Sequence, residues 1–131
     1  MAAQFVAEQT LTVGEPAVVE AHSPCSHYLV VFEDDGNSGY LYGLDTHRKD
    51  NPVVDALHIY DVAGWTGHQR SQFRLGWSRD GLKAILTIDG HPHAIFDFES
   101  QCGYCRTGFP PIKQWSARGH EWDDAAIDLF E

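Results

Sequence analysis

Short runs of alternating or β-branched apolar residues, separated by Gly, Asp and Asn, recur along this chain and predict strands more than helices. Residues 26 to 33, Ser-His-Tyr-Leu-Val-Val-Phe-Glu, are rich in β-branched and aromatic side chains and too short for a buried helix. They predict a strand. The loop Asp34-Asp35-Gly36-Asn37-Ser38-Gly39 then turns the chain. Tyr40, Tyr42 and Leu44 alternate with Leu41 and Gly43, which predicts a second strand returning antiparallel to the first.

Between residues 72 and 99 the pattern also predicts register. Asp80-Gly81 suits a two-residue type I′ turn, which sets Trp77 opposite Ala84, Leu75 opposite Leu86 and Phe73 opposite Ile88. The same two-residue rule at Asp89-Gly90 pairs Leu86 with His93 and mixes polar with apolar positions. An odd-length loop is therefore expected there, with Gly90 in the left-handed position of a bulge. That loop keeps Leu82, Leu86, Ala94, Phe96 and Phe98 on the core side. The opposite face of this three-stranded meander carries Lys83, Thr87, His91, His93 and Asp97, with Ile85 and Ile95 as apolar exceptions.

Asp50-Asn51-Pro52 is suited to capping a short helical turn ending near Ala56, after which Leu57 and Ile59 predict a strand running through Val62. Gly103, Gly108, Pro110 and Pro111 predict an ordered loop from Cys102 to Ser116. Trp122, Ala125, Ala126, Leu129 and Phe130 recur at helical spacing, with Asp123, Asp124 and Asp128 turned to water. The expected fold is mainly β: an antiparallel curled sheet or small sandwich of about seven to nine strands, closed by a short carboxy-terminal helix. Residues 1 to 131 suit a single domain, with no linker or internal repeat to divide them.

Charge narrows the list of partners. Nineteen acidic residues against nine Lys and Arg give a formal charge of −10, which repels nucleic acid and anionic lipid alike. The amino-terminal residues show no basic segment followed by an apolar run, so the expected location is the cytoplasm. Three cysteines, Cys25, Cys102 and Cys105, make an odd count, read as free thiols in a reducing compartment.

Several segments stand out as strings: Phe32-Glu33-Asp34-Asp35-Gly36 with Gly39-Tyr40, and Asn51-Pro52-Val53-Val54-Asp55-Ala56-Leu57-His58-Ile59-Tyr60. Further along come Trp77-Ser78-Arg79-Asp80-Gly81-Leu82-Lys83-Ala84, His93-Ala94-Ile95-Phe96-Asp97-Phe98, and Gly103-Tyr104-Cys105-Arg106-Thr107 with Phe109-Pro110-Pro111. Across residues 28 to 111 the chain resembles a family of small bacterial cytoplasmic proteins of uncharacterised function. The resemblance implies a shared fold and brings no assigned chemistry with it.

Candidate chemistry lies in four places. Cys102-Gly103-Tyr104-Cys105 has C-x-x-C spacing, but Arg-Thr-Gly-Phe-Pro-Pro follows where a redox site needs a helix, which favours structural thiols. Zinc is the metal such a pair suits, with His22, Cys25, His27, His91 or His93 completing a tetrahedral set. His91 and His93, two apart on a strand, are expected to point the same way. Glu33, Asp34 and Asp35 lack the alternation of a calcium loop and read as turn residues, with Asp34 and Asp35 as candidate contacts for a basic partner. Trp65 and Trp115, on Gly-rich loops, are candidate contact residues or satellite core. No nucleophile elbow or phosphate-binding glycine loop is present, so no catalytic or cofactor-binding residue is assigned. The expected role is that of a non-enzymatic acidic binding protein, with an immunity-type inhibitor of a basic toxin as its specific form. The alternatives are a metal- or thiol-dependent enzyme or sensor using Cys102, Cys105 and nearby histidines, and a small-molecule-binding β domain.

Overall fold

Most strands pair with their neighbours in sequence, in two meanders, and the amino-terminal strand crosses over to the edge of the second. A computed structural model of the chain describes residues 2–107 and 120–130. The strands are β1 (Gln4–Thr12), β2 (Ala17–His22), β3 (Tyr28–Asp34), β4 (Ser38–Asp45), β5 (Val53–Asp61), β6 (Arg70–Trp77), β7 (Lys83–Ile88), β8 (His91–Asp97) and β9 (Cys102–Cys105). They form a five-stranded sheet ordered β1-β6-β7-β8-β9 and a four-stranded sheet ordered β2-β3-β4-β5, with every strand pair antiparallel.

The inner faces of the two sheets share one core. Phe32 and Leu41 from the smaller sheet meet Phe73, Trp77, Leu86 and Phe96 from the larger, and all are fully buried. Each such side chain contributes about 1.5–3 kcal/mol through burial. The Phe32 and Phe73 ring centroids lie 4.8 Å apart, and the Trp77 indole N–H donates to the Ala21 carbonyl across the sheets at 3.2 Å. Asp34, 2% exposed, sits at the rim of this core. Its carboxylate accepts from the Tyr60 hydroxyl at 2.6 Å, from Gly14 N–H at 2.8 Å and from Gly36 N–H at 2.8 Å, tying the β1–β2 and β3–β4 turns to strand β5. Burial and the bond to Asp34 push the Tyr60 hydroxyl far above its ordinary pKa.

The predicted pairs Phe73–Ile88, Leu75–Leu86 and Trp77–Ala84 are all present. The turn that sets them is different in kind: Gly81 N–H bonds the Ser78 carbonyl, and Gly81 rather than Asp80 takes the positive φ. A loop closed by Ser78 and Lys83 keeps the register that a two-residue turn would give. Asp80 holds it from inside, accepting from Ser78 Oγ, Leu82 N–H and Lys83 Nζ. Burial alone would raise its pKa, yet these bonds hold it at about 2. At the next hairpin, Asp89 and Gly90 both take positive φ and Ile88 faces His91, so this is the two-residue turn. The extra residue sits further along: Thr87 faces Pro92 and Leu86 faces Ala94, leaving His93 bulged. The bulge restores the expected core face, with Leu86, Ala94, Phe96 and Phe98 inward and Leu82 only partly buried.

Ile85 and Ile95 are covered from outside. Residues Asp124–Phe130 form a 3-10 helix, not an α-helix, and lay Ala126 and Phe130 on these two isoleucines as a second apolar cluster. Trp122, Ile127 and Leu129 are partly buried beside it, while Asp123, Asp124, Ala125 and Asp128 are exposed. The predicted helical turn after Asp50 is absent: Asn51 Oδ1 accepts from Val53 N–H, strand β5 starts there, and a 3-10 turn follows at Val62–Gly64. The predicted loop from Cys102 begins instead as strand β9, and residues 108–116, with Trp115, lie outside the described residues.

Candidate functional site

The two sheets differ in what their outer faces carry. On the smaller sheet, cross-strand register stacks three rows outward: Val18–Glu33–Tyr40–His58, Glu20–Val31–Tyr42–Ala56, and His22–Leu29–Leu44–Val53. Val18 is 55% exposed, and a shallow groove of about 230 Å³ runs between Val18, Val31, Glu33, Tyr42, Leu44 and Val53. Tyr40 and Tyr42 stack at 6.0 Å, and the Tyr42 hydroxyl points at Glu33 Oε1, 3.5 Å away. Burial and the Glu33 charge raise the Tyr42 pKa. The strands of this sheet carry Glu20, Glu33, Asp34, Asp45, Asp55 and Asp61 and no lysine or arginine. The strands of the larger sheet carry Arg70, Arg74 and Lys83 against Glu8 and Asp97, and its outer face lies under the 3-10 helix.

A second feature lies where strand β5 of one sheet meets β8 and β9 of the other. A pocket of about 280 Å³ there is lined by His58, Tyr60, Asp61, Trp65, His93 and Thr107 among others. His58 Nε2 donates to Asp61 Oδ1 at 3.0 Å, and this bond together with one from Ser38 lowers the Asp61 pKa. Burial drives the His93 imidazole down to about 4, with the nearby Arg106 cation adding to the shift and a hydrogen bond to the Ile59 main chain opposing it. Trp65 packs on Tyr60 with centroids 5.0 Å apart and donates its indole N–H to the His68 carbonyl, so its ring is tied into the rim. Earlier on strand β5, Asp55 Oδ2 accepts from His120 Nε2 at 2.8 Å, both side chains wholly buried. Gly103 leaves room for this pair, since a Cβ there would stand 3.1 Å from the His120 ring.

The sequence candidates separate in space. On extended β9, alternation sends Cys102 and Cys105 to opposite faces: Cys105 is buried with its thiol donating to the His58 carbonyl, and Cys102 Sγ donates to Ser100 on the other side. The Thr107 hydroxyl donates to the same His58 carbonyl. The bulge parts His91 from His93: His91 is exposed on the hairpin tip, and His93 turns toward the pocket. Asp34 is enclosed by its three donors, whereas Asp35 is exposed and caps the turn by accepting from Asn37 and Ser38 N–H groups. Cys25 is exposed on a loop.

One cluster is invisible to motif spacing. His27, Asp45 and His47 bring potential ligand atoms within 4.8 Å of one another, at the end of the β3–β4 hairpin. The register pairing Tyr28 with Asp45 creates it, and alternation within either strand alone gives no hint of it.

Two comparisons with known proteins are informative. A family profile described as "Uncharacterized protein conserved in bacteria (DUF2251)" matches residues 11–131. An "Uncharacterized protein" of Haemophilus influenzae is 40% identical over 105 residues, a span covering 79% of this chain and 65% of that relative. No solved structure matches the chain significantly. No helix among the described residues is long and apolar enough to cross a membrane.

Proposed function

Since the chain belongs to this bacterial DUF2251 family, which brings no chemistry with it, we propose from the geometry that it is a non-enzymatic binding protein whose smaller sheet receives a basic protein partner. The observation that carries the reading is the charge asymmetry: four adjacent strands with no lysine or arginine and with Glu20, Glu33, Asp45 and Asp61 reaching solvent, beside a sheet that carries both signs. The exposed rows combine apolar surface at Val18, Val31 and Leu44 with carboxylates at Glu20 and Glu33. A partner lysine or arginine fits such a surface by laying its methylenes along the valines and its charged head against the glutamates. Tyr40 and Tyr42 supply broad rings with polar tips, the residue type that anchors interfaces. The formal charge of −10 steers a cationic partner toward the protein and speeds encounter, an effect that salt screens. An immunity-type inhibitor of a basic toxin, acting in the cytoplasm, is the specific form of this role.

The test is affinity capture from the native cytoplasm at low and high salt, followed by zero-length carboxyl-to-amine crosslinking. The reading expects a basic protein held at equal stoichiometry, released by salt, and crosslinked through Glu20 or Glu33. Capture of nothing at stoichiometric yield, or crosslinks confined to carboxylates outside the smaller sheet, would overturn it.

A further inference from the structure

We propose that His27, Asp45 and His47 form a binding site for a divalent first-row transition cation of the zinc type, at the open end of the β3–β4 hairpin. Among the described residues this is the one place where three metal-ligating side chains converge. Its backbone is fixed on each side. Thr46 donates from both N–H and Oγ1 to the His27 carbonyl, Asp45 N–H bonds the Pro52 carbonyl at 2.8 Å, and His47 N–H bonds Asp45 Oδ1 at 3.0 Å. The rings are braced as well. Tyr28 stacks on Phe98 at 4.4 Å, His27 lies against Tyr28 at 4.2 Å, and His47 stacks on His27 at 3.8 Å.

The donor set selects the ion. Two imidazoles and one carboxylate suit zinc and its neighbours, whereas magnesium and calcium require an oxygen shell that this group does not provide. Three protein ligands leave a fourth position for water. Bond lengths of about 2.0–2.2 Å put neighbouring ligand atoms of a tetrahedral site about 3.4 Å apart. His27 Nε2 and Asp45 Oδ1, both on partly buried side chains, already stand 3.1 Å apart, close to that spacing. His47, exposed on the turn, has the freedom to close the rest. It must move, because the two imidazole planes are 5° from parallel and an ion in the plane of one ring lies out of the plane of the other. Metal binding therefore unstacks His47 from His27, and that motion is the signature of the site.

Zinc titration of the full chain followed by proton NMR and calorimetry tests the proposal. The expected result is one ion per chain, with the ring protons of His27 and His47 shifting as mutual ring-current shielding is lost while those of His22 and His68 stay in place. His47→Ala removes an exposed ligand without touching the core and weakens binding at least about tenfold, whereas His22→Ala leaves it unchanged. Magnesium produces none of these shifts. The site is refuted by His27 and His47 resonances that ignore zinc in the wild-type protein, by His47→Ala binding as tightly as wild type, or by His22→Ala weakening it equally.

Discussion

Removing a single oxygen from Tyr60 isolates the bond that ties two turns to the sandwich. In Tyr60→Phe the ring remains against Phe32 and Phe73, so packing is conserved and only the 2.6 Å bond to Asp34 is lost. A hydrogen bond to a carboxylate contributes about 1.5–3 kcal/mol, and the site is buried on both sides, so water does not replace the lost donor. At an unfolding entropy of about 2.1 cal/mol/K per residue, a chain of this length should lose about 5–11 °C in Tm. Tyr42→Phe is the control: its hydroxyl is half-exposed and 3.5 Å from Glu33, and its removal should stay within about 0.5 kcal/mol. Urea unfolding of the two variants gives the comparison at unchanged slope. A Tyr60→Phe loss no larger than that of Tyr42→Phe would refute the claim that Asp34 is a structural acid held by these bonds.

Other consequences can be checked alongside. Phe130→Ala strips a buried ring from Ile85 and Ile95 and should cost about 3 kcal/mol by urea unfolding; a loss near zero would mean the 3-10 helix does not cover that face. The His93 pKa is lowered on folding, so the unfolded chain binds the extra proton between its ordinary pKa near 6.5 and about 4. Stability is therefore full above that window and falls as pH drops through it, and His93→Gln should flatten this slope in urea midpoints measured across pH. Thiol titration of the native protein should find Cys25 fast and Cys105 unreactive until denaturant is added; a rapidly reacting Cys105 would support a thiol-based function.

What the sequence disclosed and what it hid follow from local and non-local causes. The Trp77–Ala84 register was readable because the pairing is local and both faces of the hairpin agree with the apolar pattern. Turn type was harder, since different loops give one register, and only φ at Asp80, Asp89 and their glycines separates them. Ile85 and Ile95 looked like exceptions because their cover arrives from residues 124–130, far along the chain. C-x-x-C spacing suggested a shared site, yet an extended strand sends the two thiols to opposite faces. The charge asymmetry was present in the sequence but legible only after strand order placed β2 to β5 in one sheet. The histidine cluster depended on the pairing of Tyr28 with Asp45, a contact that composition does not reveal.

The partner surface is tested most directly by reversing charge on one face and leaving the rest alone. Glu20→Lys/Glu33→Lys changes the exposed rows of the smaller sheet, and Glu8→Lys/Asp128→Lys makes the same change in net charge elsewhere. The account predicts that stoichiometric capture of the basic protein from native cytoplasm survives the second variant and is lost in the first. Equal retention or equal loss in both would show that total charge, and not this sheet, governs binding, and would contradict the account.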